Sequence, residues 1–226
     1  MPPSLTLYDF ELSADCYKAR LMLALLGLAH VSVPIDVYPG REHEANAYRR
    51  ISAAGRVPAL ADGDRVVDEP TAILRHLAET RDPSGRWYPR DPLRRAETDR
   101  WLAVAESLGA SAGAARLHEN FFVPADAAAL RAAAHREFRR LDEHLWFAER
   151  AGDDWLVPGA DATIADVACL PDVLLSEEGG IGRIDYPAVR RWTDRVRRLP
   201  GFVPMSGVFP AAPARTDAAV RPPDVR

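Results

Sequence analysis

A chain of 226 residues with 47% hydrophobic side chains can bury a full core, as one large domain or two small ones, so disorder is not the default expectation. Its 33 acidic and 29 basic residues are spread along the whole length for a net charge of -4, which gives no electrostatic footprint for nucleic acid. The longest apolar run, Leu21 to Leu28, falls far short of the roughly 20 residues that span a bilayer, so neither a nucleic-acid partner nor a membrane anchor is expected.

Residues Leu5 to Tyr8 read as a short strand, Asp9 to Asp15 as a polar loop, and Cys16 to Leu26 as a helix closed by Gly27. A second strand is predicted over His30 to Val37, where Val31, Val33, Ile35 and Val37 alternate onto one side, and Pro39-Gly40 ends it. After a polar stretch of weak helical character, Val57 to Leu60 and Arg65 to Val67 form short strands around an Asp62-Gly63 turn. A helix follows from Pro70 to Glu79. The order β-α-β-α-β-β-α calls for a mixed sheet covered by helices.

The stretch Arg81 to Pro92 holds three prolines and one glycine and reads as a linker. Beyond it the period is helical throughout, with helices predicted at Arg94 to Gly109, Ala125 to Ala151, Ile164 to Leu175 and Pro187 to Leu199. The Gly109 to Gly113 interruption is expected to break or bend the first of these. The organisation expected is residues 1-80, an α/β domain; 81-92, a linker; 93-210, an all-helical bundle; and 211-226, an Ala, Pro and Arg tail without apolar spacing, predicted to be disordered.

Two cysteines, Cys16 and Cys169, cannot make a disulfide framework, and Met1-Pro2-Pro3 opens into the first strand with no charged-then-apolar leader. Both features predict a reduced, cytoplasmic protein. Lys18 is the only lysine, a compositional bias toward arginine rather than a functional signal. His30, His76, His118, His135 and His144 show no metal-ligand spacing, and no metal site or Gly-rich phosphate loop is predicted.

Several segments, in order and in register over roughly residues 5 to 205, resemble the soluble glutathione transferase family. They are Ser13-Ala-Asp-Cys-Tyr-Lys, Gly55-Arg-Val-Pro-Ala-Leu, Ala72-Ile-Leu-Arg-His-Leu, Trp87-Tyr-Pro, Thr163-Ile-Ala-Asp166, and Tyr186-Pro-Ala-Val-Arg-Arg-Trp192 followed by Leu199-Pro-Gly-Phe202. The opening is most similar to the serine-type classes (theta, phi and tau) and their bacterial relatives. The resemblance implies a thioredoxin-like N-terminal domain with a mixed four-stranded sheet and an all-α C-terminal domain. It also implies glutathione as co-substrate, a small-molecule electrophile as second substrate, and a homodimer.

Ser13 feeds the first helix, where its hydroxyl and the free N-H groups of the helix start can donate to an anion; read alone it is an ordinary N-cap. In the family the matching serine hydrogen-bonds the glutathione sulfur. Cys16, in the first helical turn, is a second candidate because such a position lowers a thiol pKa, although an apolar packing role suits it equally. Val57-Pro58 matches the family's cis-proline, which implies that Val57 binds the cysteinyl backbone of glutathione through its main chain. Glu69-Pro70-Thr71 departs from the family pattern: Pro70 stands where a serine normally offers hydroxyl and N-H to the γ-glutamyl carboxylate, and proline has neither donor. Thr71 is the candidate to compensate at that helix start. His43 matches a position that contacts the glycine end of glutathione, with a solvated loop histidine as the alternative. Thr163 and Asp166 form a capping arrangement, structural in role. The electrophile pocket is expected between the domains, near Leu108, Arg116, His118, Asn120 and Phe121.

The leading reading is an enzyme that activates glutathione or a similar thiol for attack on an electrophilic carbon, or for a related isomerisation. The alternative, favoured by Pro70, is a scaffold that has lost glutathione binding and serves as a ligand-binding module or a specialised biosynthetic enzyme.

Overall fold

The computed structural model describes residues 5-205, so the predicted tail beyond Pro210 lies outside the described residues. Strand β1 (Leu5–Asp9) buries Leu5, Leu7 and Asp9 on one face. It sits inside a four-stranded sheet of order β2-β1-β3-β4 with β2 (Val31–Pro34), β3 (Ala59–Asp62) and β4 (Arg65–Val67). β1 pairs parallel with β2, with Leu7 opposite Ser32, and antiparallel with β3, with Leu7 opposite Leu60. The β3-β4 hairpin closes over Gly63, whose φ of +59° is the left-handed conformation that a two-residue turn demands. β2 is shorter than its alternation predicts. It is an edge strand, Val31 is exposed, and pairing with β1 stops at Pro34, so an alternating pattern there does not mark a buried face.

Helix α1 (Ala14–Leu25) is buried on all sides, from Cys16 and Tyr17 through Leu21, Met22 and Leu23. The reason is its position between the sheet and the helical half. After the four-residue α2 (Asn46–Arg49), α3 (Pro70–Arg81) starts on a proline, whose missing N-H would have had no helical partner there. The helical half contains α4 (Pro92–Leu108), α5 (Ala114–Phe121), α6 (Ala127–Ala151), α7 (Ile164–Leu174) and α8 (Pro187–Val196). No break separates α4 from α5: Gly109–Gly113 continue the spiral as a π-helical turn. A Cβ at Gly113 would lie 2.6 Å from Asp172 Oδ1, so any larger residue there requires this carboxyl to shift. Helix α5 is the element that the sequence reading lacked, because the glycines read as a stop.

Every residue of α7 is buried, which a helix apolar all round requires, and one continuous apolar core runs from Leu5 and Leu7 to Trp192 and Val196. Thr163 and Asp166 close the start of α7 as a capping box. Asp166 does more than cap: it also accepts the Leu156 N-H at 3.1 Å and the Trp192 indole N-H at 2.8 Å. Among the described residues no helix is long and apolar enough to cross a membrane.

Asp166→Ala strands those donors in a dry interior, and the expected loss is about 3 kcal/mol of unfolding free energy by denaturant titration. Asp62→Ala, on the half-exposed hairpin, is expected to cost about 1 kcal/mol.

Candidate active site

Ser13 is the N-cap of α1. Its backbone is extended (φ -80°, ψ 125°), and its Oγ accepts the Cys16 N-H at 3.2 Å, so the hydroxyl keeps its own hydrogen for another acceptor. The side chain is half-buried and lines a cleft of about 360 Å³ between the sheet and the helical half. The cleft wall is aromatic: Phe121 makes edge contacts with Phe10 at 6.1 Å and with Tyr38 at 5.7 Å between ring centres.

A second hollow of about 290 Å³ adjoins the first, sharing Asp15, Val57 and Gly109 with it, so the two are arms of one groove. The Val57-Pro58 bond is cis. No described residue hydrogen-bonds the Val57 N-H or C=O, which leaves a main-chain donor and acceptor at the junction of the arms.

The far end of the second hollow is formed by Glu69, Pro70 and Thr71. Here Glu69 caps α3 itself: its carboxylate accepts from the Thr71 N-H at 3.0 Å, the Thr71 hydroxyl at 2.8 Å and the Ala72 N-H at 2.7 Å. Thr71 is therefore not a spare donor that replaces the missing serine; both of its donors are committed to Glu69. Asp15, Asp68, Glu69 and Glu106 line this hollow against Arg56 and Lys18, so its charge is predominantly negative.

Below Ser13, the Lys18 ammonium is buried between Asp15 Oδ1 at 2.8 Å and Asp172 Oδ2 at 3.0 Å. Burial works against its charge, yet the field of Asp172 and Asp15 outweighs this and holds Lys18 above the ordinary lysine range. Burial pushes the Asp172 carboxyl up, and Lys18 opposes that shift. Asp172 lines the cleft, and the sequence signal for it is a second acid in the apolar run of α7, beyond the capping Asp166. Across the cleft Arg116 donates from Nη1 to the Leu12 carbonyl at 2.8 Å and from Nε to Glu178 Oε2 at 2.6 Å.

Two sequence candidates lie elsewhere. Cys16 is fully buried and lines neither arm; burial pushes its thiol up to about 12, against the hydrogen bond from the Phe10 N-H at 3.3 Å, so it is a neutral thiol at physiological pH. Its position in the first helical turn does not overcome that desolvation. His43 also lines neither arm. It lies in a 3-10 turn, Glu42–Glu44, with Nε2 3.6 Å from Glu44 Oε1. Of the residues expected along the electrophile pocket, Arg116 and Phe121 line it, Leu108 is core, and His118 turns to the Val123 carbonyl at 2.9 Å.

Residues 7–85 match the family model described as the glutathione S-transferase N-terminal domain. Maleylacetoacetate isomerase of Pseudomonas aeruginosa is 31% identical over 208 residues, covering 87% of this chain and 92% of that protein. Among solved structures, a glutathione S-transferase from Pseudomonas fluorescens aligns with a TM-score of 0.80 at 26% identity, over 89% of this chain and 98% of that one. Ure2p in complex with glutathione aligns with a TM-score of 0.79 at 26% identity, over 89% and 97%. The chain belongs to the soluble glutathione S-transferase family.

In the folded protein neither Cys16 nor Cys169 is expected to react with iodoacetamide, because both thiols are buried and raised by burial. Intact mass should show no label under native conditions and two labels after denaturation, and Cys16→Ala should keep thiol-transfer activity within about twofold.

Proposed function

We propose that this glutathione S-transferase family member is a serine-type enzyme in which Ser13 donates a hydrogen bond to the sulfur of bound glutathione and favours its thiolate. The observation that carries the reading is the position of the Ser13 hydroxyl: at the start of α1, in the cleft wall, with its hydrogen uncommitted and the unpaired Val57 backbone on the same groove. The cysteinyl backbone of glutathione pairs with Val57, which brings the sulfur toward Ser13 and the positive end of α1. The thiol releases its proton to solvent, and the sulfur lone pair attacks an electrophilic carbon in the aromatic cleft. Either a leaving group departs with its electron pair, giving a thioether, or the adduct rotates and expels the thiolate again, giving an isomer. Both outcomes use the same residues. Cys16 has no part in this chemistry, and His43 is not needed for it. Family membership supports a cytoplasmic homodimer acting on a small-molecule electrophile.

Pro70 and the self-capped Glu69 favour a second reading in which glutathione is held weakly or not at all. Calorimetric titration with glutathione separates the two. Millimolar or tighter binding supports the enzyme; absence of binding that Pro70→Ser restores supports loss of function on this scaffold.

If glutathione binds, Pro70→Ser is expected to tighten it about tenfold, the worth of one hydrogen bond to a charged group. Ser13→Ala is expected to lower kcat/KM for chlorodinitrobenzene by about 10- to 100-fold near neutral pH. The sign with pH follows from which form the serine stabilises. Losing a donor to the thiolate raises the pKa of the bound thiol, so the deficit is largest at low pH and shrinks above the free-thiol range of about 8.5. An unchanged pH profile in Ser13→Ala would remove Ser13 from the mechanism.

A further inference from the structure

Arg116 lies in the cleft wall with only its Nη2 edge uncommitted, its guanidinium carbon standing 5.7 Å from the centre of the Phe121 ring. Its side chain is only 6% exposed, Nε is taken by Glu178 and Nη1 by the Leu12 carbonyl, and no described residue accepts from Nη2. A permanently charged, planar donor group in a largely apolar cleft matches a carboxylate better than any neutral acceptor. Lys18, the other buried cation nearby, is already shared between Asp15 and Asp172. Among the described residues lining the cleft, Arg116 is therefore the cation left to meet a ligand. Glu178 balances part of its charge, but it holds only the Nε edge and is itself partly exposed.

We propose that Arg116 is a specificity-determining residue that selects acceptors carrying a carboxylate, bound through its Nη2 edge. The inference rests on the reading of this cleft as the acceptor site. The remaining wall, with Phe10, Tyr38 and Phe121, suits a flat aromatic or unsaturated body. Arg116 also holds the carbonyl of Leu12, the residue before Ser13. One guanidinium thus fixes both the acid group of the acceptor and the loop that carries the thiolate donor. The chemical class that fits is an aromatic or unsaturated carboxylic acid.

The test is equilibrium titration of the full chain with dinitrobenzoate and with dinitrobenzamide, a neutral isostere. The acid is expected to bind about tenfold more tightly than the amide. Arg116→Met should erase that preference. Glu178→Gln, which removes the competing carboxylate and keeps the arginine, should strengthen acid binding about threefold, and this arm decides the matter if Arg116→Met does not fold. Equal binding of acid and amide by the wild type, a preference that survives in Arg116→Met, or weaker acid binding in Glu178→Gln would overturn the proposal. Turnover of chlorodinitrobenzene with glutathione, run in parallel, reads the transferase reading separately. Turnover without an acid preference defeats only the selection by Arg116, whereas an acid preference without turnover leaves a carboxylate site and defeats only the thiol-transfer reading.

Discussion

A buried charge must have a partner, and Lys18 imposes that requirement on both halves of this protein. Its ammonium is enclosed between Asp15 of its own helix and Asp172 of α7, with side-chain exposures of 4% and 3% for Lys18 and Asp172. Desolvating both ions cancels most of their attraction, so such a pair contributes little net stability. What it supplies is position. Helix α1 cannot slide or rotate on α7 without exposing one charge to an apolar interior, and the start of α1 is where Ser13 sits. The Arg116 link to the Leu12 carbonyl adds a second polar tie between the halves, one residue before Ser13. The geometry of the groove thus depends on charges that the apolar core alone would not place.

That dependence explains which parts could be read from the sequence. The strands, the hairpin turn at Gly63 and the four long helices follow from local periodicity and turn chemistry, and β4, α3, α6, α7 and α8 begin within about two residues of their predicted starts. Helix α5 could not be read. Glycines at 109 and 113 signal a break when viewed along the chain, and only the three-dimensional approach of Asp172 shows that Gly113 answers to a neighbour instead. The misreading of β2 has a similar cause, since its valines alternate without a second sheet face to cover them.

The candidate site divides along the same line. The N-cap at Ser13 and the turn at Val57-Pro58 were legible because a cap and a Val-Pro pair have local signatures. Cys16 misled because helix-terminus electrostatics and desolvation act in opposite directions, and only burial reveals that desolvation prevails. Thr71 misled because its donors are taken by the side chain two residues earlier, a choice that composition does not reveal. At that end of the groove the Glu69 carboxylate is turned to the first N-H groups of α3. On the reading proposed above, one end of the groove offers a serine donor to a sulfur, while Pro70 at the other end has no N-H or hydroxyl to offer.

The close passage of Gly113 over Asp172 has a consequence for how the protein can diversify. Any ordinary side chain at 113 would press on Asp172 Oδ1, whose partner oxygen Oδ2 holds Lys18, so a substitution in the floor of the cleft has to move a buried ion pair. The opposite wall carries no such bond: Tyr38 is half exposed and touches Phe121 only by ring contact. New substrate ranges in descendants of this sequence should therefore arise by exchanging aromatic side chains on one rim, while the glycine and the acid beneath it are inherited together.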